Sequence, residues 1–238
     1  MSSKNYYNAE NNPLYILHFP GHGLKDFMHI IDDNIDREIV VGDDISIIST
    51  MNQHCWEGSP VREQCEKNHI PIYNTALEEV EWSNPLKIKH AMICLNKVAT
   101  KYALILDGRD VVLVRDMADE FIEKFKKFGK PILYNGTPVA FPKEPVEPLA
   151  ELFQIRGKQK FLNAGVCFGE VEALKTFYAR CAEISAKLPD NKSEQLIVRM
   201  ARQEMKDLVA IDHNNELFRI CHPYDTVIKE YDEKLVLI

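Results

Sequence analysis

The sequence predicts an α/β domain with a mixed, mostly parallel sheet and helices on both faces. Three observations carry that expectation. Strand-length apolar runs alternate with longer helical patterns through the first half of the 238-residue chain, the order that a parallel sheet with crossover helices requires. Apolar residues make up 45% and charged residues 27%, the profile of a packed globular protein and not of a disordered or fibrous one. The length suits one large α/β domain and rules out two large ones, because domains typically run to about 100–200 residues.

Residues 1–12 are polar and read as an N-terminal tail, with residues 13–238 as the single domain. Residues 14–19 (LYILHF) form a first buried strand, closed by Pro20, Gly21 and Gly23. Residues 38–41 and 45–48 repeat the strand signal on either side of Gly42, Asp43 and Asp44. Residues 60–69 read as a helix and residues 71–73 as a short strand. Asn84 before Pro85 gives a cap with proline at the first helical position, and that helix extends to about Thr100. Residues 103–106 (ALIL) and 111–114 (VVLV) are strands joined by the turn Asp107, Gly108, Arg109, Asp110. A helix over 117–128 ends at Gly129, a strand covers 132–134, and the proline-rich stretch 136–148 is a surface loop. A strand at 164–168, helices over 171–188 and 193–204, and strands at 208–211, 217–220 and 235–238 complete the chain.

Charge narrows the function classes. Lys and Arg total 29 against 36 Asp and Glu, a net charge of −7, which disfavours binding along a nucleic-acid backbone or to an anionic membrane. There is no secretory-signal pattern and no run of 18 apolar residues, so neither a leader nor a membrane span is expected and the expected compartment is the cytoplasm. The six cysteines lack any short paired spacing, which argues against a zinc knuckle or a disulfide scaffold and for reduced, structural thiols.

Four features carry chemistry. Asp107 stands where the apolar run ALIL stops, and ligands of α/β sheets bind beyond the carboxyl ends of strands. With Asp110 it offers two hard oxygen donors across a tight turn, suited to Mg²⁺ or Mn²⁺ and through that ion to a pyrophosphate. Surface turns also use aspartate freely. In FLNAGV, Asn163 has both donor and acceptor for sugar hydroxyls, and Ala164 with Gly165 permits close approach of a ligand to the backbone. In SEQ, Ser193 is a natural helix N-cap, and Glu194 with Gln195 opens the helix, where they can face a sugar. Finally, Asp212-His213 closes a strand, and a neutral imidazole there is a candidate third ligand for Mn²⁺. The other seven histidines are given no role, since most histidines in proteins bind nothing.

Taken in order, ALILDGRDVVLV, FLNAGV, SEQ and IDHNNELF resemble the landmarks of a metal-dependent glycosyltransferase of the GT-A fold. The match is to the glycosyltransferase domain of collagen lysyl hydroxylases and related galactosyltransferases, over roughly residues 85–220. The resemblance implies a cation (Mn²⁺ or Mg²⁺) bound by Asp107, Asp110 and His213. It implies Lys87, Asp107, Asn163 and Gln195 around a nucleotide-sugar donor, with Glu194 and Asn163 as the catalytic candidates. Ser193-Glu194 stands where that family has two aspartates, and Ala164 where it has serine. The reaction expected is transfer of a hexose from a UDP-sugar to a saccharide or a protein or peptide acceptor. Two alternatives stay open: a sugar-nucleotide-binding protein without transfer activity, and a metal-dependent nucleotidyltransferase or phosphohydrolase.

Overall fold

The computed structural model describes residues 5–20, 38–191, 193–221, 228–231 and 234–237. Their strands are β1 (Asn5–Asn8), β2 (Ile16–His18), β3 (Ile45–Ile48), β4 (Ile72–Tyr73), β5 (Tyr102–Leu106), β6 (Val111–Leu113), β7 (Ile132–Thr137), β8 (Phe161–Glu170), β9 (Val209–Asp212), β10 (Phe218–Ile220), β11 (Ile228–Tyr231) and β12 (Lys234–Leu237). The helices are α1 (Gln53–Trp56), α2 (Pro60–Lys67), α3 (Leu86–Leu95), α4 (Asp119–Lys126), α5 (Leu149–Gln154), α6 (Val171–Ala186) and α7 (Glu194–Glu204).

Six strands form the central sheet in the order β4-β3-β5-β8-β7-β9. β8 runs against both of its neighbours, and the other pairings are parallel. Successive side chains of a strand point to opposite faces, and β5 sorts its residues accordingly. Tyr102, Leu104 and Leu106 join one core layer with Val166 and Phe168 of β8, Leu133 of β7, and Phe121 and Phe125 of α4. Ala103 and Ile105 join the other, under α3, α6 and α7. In the first layer Phe168 meets Phe121 and Phe125 edge-on, with ring centroids 4.7 and 4.8 Å apart, contacts of about 0.5–1.5 kcal/mol each beyond area burial. The same layer is closed by a second, three-stranded sheet, β10-β2-β6. The exposed edge of β6 is capped by Gln64 of α2, which donates to the Leu113 carbonyl at 3.1 Å and accepts from the Leu113 amide at 2.9 Å.

Several boundaries depart from expectation. The polar tail is not a tail: β1 pairs in parallel with β12, and Tyr6 is buried. Residues 38–41 make a single bridge, Val41 to Met117, where a strand was expected. Helix α3 stops at Leu95, and Pro85 occupies its cap position without a side-chain hydrogen bond. Strand β8 begins at Phe161, so Asn163 lies inside it, and α5 follows the proline-rich loop. The end of the expected strand 235–238 at Ile238, and His222, lie outside the described residues.

One irregularity shapes the site. Tyr134 of β7 faces Cys167 of β8, yet the next residue, Asn135, faces Asn163. Ala164, Gly165 and Val166 therefore have no partner on β7. Bulges of this kind re-aim a strand locally, while on the other side of β8 the ladder with β5 continues one step further, the Gly165 carbonyl accepting from the Asp107 amide at 2.8 Å.

Candidate active site

The turn after β5 opens into a cavity of about 770 Å³. Asp107, Asp110, Lys87, Asn163, Ala164, Gly165, Ser193, Glu194 and Gln195 line it, together with His18, Arg109, Lys143 and Phe141. Three of the four features singled out in sequence thus meet in one place, together with Lys87.

The Asp turn is fixed from below. The Gly108 carbonyl accepts from the Ser59 hydroxyl at 2.6 Å, and the Leu106 carbonyl accepts from the Ser49 hydroxyl at 3.0 Å. Lys87, the second residue of α3, pairs with Asp107 Oδ1 and lies 3.4 Å from Glu194 Oε2. Burial works against the Lys87 charge, but Asp107 and Glu194 outweigh it and raise its pKa, so the ammonium persists at any working pH. Burial would raise Asp107 as well, yet Lys87 first and His18 second hold it below the usual carboxylate range. Glu194 behaves oppositely: burial, opposed by Lys87 and reinforced by Asp107, pushes it up to about 7.

Ser193 caps α7 as its sequence predicts, its hydroxyl accepting from the Leu196 amide at 3.2 Å. That cap sets Glu194 and Gln195 at the helix entrance. Gln195 Oε1 accepts from the Ala164 amide at 3.2 Å and from Asn163 Nδ2 at 3.3 Å, while its Nε2 donates to the Phe141 carbonyl at 2.6 Å. Asn163 Oδ1 accepts from the Gly165 amide at 2.9 Å. Asn163 and Gln195 therefore brace the bulge and the loop at Phe141 as well as facing the cavity.

His213 is not brought to this site. Two strands, β8 and β7, separate β9 from β5, and three intervals of about 4.8 Å put the strand axes about 14 Å apart. Its Nδ1 stands 2.5 Å from the Gln159 carbonyl, and burial lowers its pKa. The adjoining Asp212 is buried, and its carboxylate accepts the amides of Glu216, Leu217 and Phe218 at 2.8–2.9 Å. Expectation of a third ligand at His213 is therefore corrected by strand order.

The histidine that does meet the two aspartates is His18, which sequence reasoning passed over as part of an apolar run. The β2–β6 register sets His18 opposite Val111, so Asp110 is its neighbour across the ladder, and the Phe19 amide donates to the Asp110 carbonyl at 2.7 Å. Nε2 of His18 lies 3.6 Å from Asp110 Oδ2 and 3.9 Å from Asp107 Oδ2. Among the described residues, His18, Asp107 and Asp110 form the group whose donor atoms are close enough to share a metal ion. The one sign of it in sequence is a polar residue at the end of a buried strand, which His213 shares. Two carboxylates and an imidazole suit a divalent cation by donor type.

Burial pushes the Cys65 thiol up to about 12, as expected of an inert thiol. Among the described residues no helix is long and apolar enough to cross a membrane.

No family model and no curated protein matches the chain. Among solved structures, a glycosyltransferase involved in the glycosylation of the major capsid of PBCV-1 is similar at 13% identity and a TM-score of 0.41, over 76% of this chain and 82% of that chain.

Proposed function

We propose that this chain is a metal-dependent glycosyltransferase of the GT-A type that moves a hexose from a UDP-sugar to a saccharide or a protein or peptide acceptor. The observation that carries this reading is the convergence on one cavity of the Asp107–Asp110 turn, Lys87, the Asn163–Gly165 bulge and the Glu194-Gln195 helix start. Breaking the bond from anomeric carbon to diphosphate leaves negative charge on the departing nucleotide, and stabilising that charge is the main task of such a site. Lys87 stays cationic at the cavity wall and supplies a fixed positive charge. Arg109 and Lys143 also line the cavity and complement a diphosphate. A Mn²⁺ or Mg²⁺ ion held by Asp107 and Asp110 would add Lewis-acid neutralisation of the leaving group. Glu194, with its pKa near neutrality, is suited to hold or accept a proton beside the donor sugar. Asn163 and Gln195 keep the bulge open, and Asn163 places an amide where sugar hydroxyls would lie.

Incubation with a panel of UDP-, GDP- and CMP-sugars, with Mn²⁺ or with chelator, tests the reading by chromatography of the released nucleotide. The expected result is cation-dependent release of UDP. Failure to bind or turn over any nucleotide sugar overturns it.

A further inference from the structure

We propose that His18 is the third protein ligand of a divalent cation shared with Asp107 and Asp110, and that its nitrogen makes the site select Mn²⁺ over Mg²⁺. The ring is only 2% exposed, and neither Nδ1 nor Nε2 has a hydrogen-bond partner. Buried polar atoms are almost always paired, so an unpartnered imidazole aimed at two carboxylates calls for a missing partner of opposite need. Nε2 stands 3.6 Å from Asp110 Oδ2 and 3.9 Å from Asp107 Oδ2. Two donors each about 2.1 Å from one ion lie about 3.0 Å apart at adjacent corners of an octahedron and about 4.2 Å apart at opposite ones. The observed separations fall between those limits.

The surroundings hold this arrangement in place. Asp107 divides its oxygens, Oδ1 toward Lys87 and Oδ2 toward His18. Gly165 forms the wall against the ring: a Cβ there would stand 2.2 Å from His18 Cε1. The imidazole is thus confined by backbone on one side and faces the aspartates on the other. Imidazole nitrogen suits Mn²⁺ and later transition ions, while Mg²⁺ prefers oxygen and water, which is the source of the selectivity. As regards the reaction, the proposal rests on the metal-dependent transfer reading; as regards cation binding, it is measured separately.

The test uses the full chain and MnCl₂ or MgCl₂ as the only ligands. Pulsed electron paramagnetic resonance on bound Mn²⁺ should show a ¹⁴N coupling from a coordinated imidazole in the unsubstituted protein. His18→Asn should abolish that coupling and weaken Mn²⁺ binding by about tenfold or more, with Mg²⁺ affinity changed by less than about threefold. Should His18→Asn fail to fold, the spectrum of the unsubstituted protein and of His18→Gln decides. Absence of bound Mn²⁺, absence of the nitrogen coupling, or its persistence in a folded His18 variant overturns the proposal. Mn²⁺ bound through His18 in a protein that turns over no nucleotide sugar would leave the proposal standing and remove the transfer reading.

Discussion

β5 and β9 run in the same direction within one sheet, and each delivers an aspartate at its carboxyl end, Asp107 just after β5 and Asp212 as the last residue of β9. Their surroundings differ in kind. Asp212 is fully buried and its two oxygens accept three backbone amides, which close the turn into β10. Asp107 has one oxygen on a lysine and the other directed toward an unpartnered histidine and a second aspartate, beside a large cavity. The same residue type at the same topological position is a structural clasp at one strand end and part of a cavity wall at the other. Position at a strand end is therefore a weak signal, and the destination of the carboxylate oxygens is the strong one.

The largest effect that would sharpen this contrast is on turnover. Asp110→Ala should lower sugar transfer by about 10²–10⁴-fold, since loss of the cation forfeits several kcal/mol of leaving-group stabilisation. Its urea midpoint should stay close to the parent's, because among the described residues the Asp110 side chain serves no backbone amide. Activity within about threefold of the parent would erase the difference between the two strand ends.

Asp212→Ala should do the reverse. It leaves three amides without an acceptor, at about 1–3 kcal/mol each, so a stability loss of about 3 kcal/mol or more is expected in urea unfolding. Mn²⁺ affinity of the folded fraction should not change.

The pH dependence of stability should report the clasp as well. Burial, only partly offset by the three amides, raises Asp212 to about 6 from an ordinary 3.8. Between those values the native state holds a proton that the unfolded chain has released, so this contribution is fully present below about pH 4 and is lost as pH rises through about 6. The fall is on the order of 2–3 kcal/mol. Urea midpoints measured across that range should decline in the parent relative to Asp212→Asn, and parallel profiles would show that Asp212 does not titrate there.

Two glycines offer a finer comparison. A Cβ at Gly136 would stand 2.7 Å from the Asp212 carbonyl oxygen, against immovable backbone, and one at Gly165 would meet the His18 ring. Each alanine variant should lose about 1–3 kcal/mol of stability by overpacking, measured by thermal or urea unfolding. Only Gly165→Ala should also weaken Mn²⁺ binding, and equal Mn²⁺ affinities would detach the His18 ring from the metal site.

The smallest expected effect is at His213. His213→Ala removes one hydrogen bond to the Gln159 carbonyl, about 0.5–1.5 kcal/mol, and should leave Mn²⁺ affinity within about twofold. A tenfold loss in a titration would restore His213 to the site against the strand order.

Much of this molecule was legible locally. The runs ALIL and VVLV, the Ser193 cap and the Asp turn follow from periodicity and short-range hydrogen bonding, which neighbouring residues decide among themselves. Residues close together on those elements, Asp107 with Asp110 and Glu194 with Gln195, accordingly reach the cavity as their placement implies. The tail at residues 1–12 was illegible because β1 is stabilised by β12, a strand from the other end of the chain, and its own sequence carries little apolar signal. The histidine that joins the acidic pair was illegible for the same reason on a larger scale. His213 and His18 are both histidines at strand ends, and nothing in their flanking residues separates them. Strand order separates them: β9 closes the far edge of the central sheet, while β2 pairs with β6 and carries His18 to Asp110. That order is a sum of non-local pairings and buried faces, and such contacts exist only once the chain has packed.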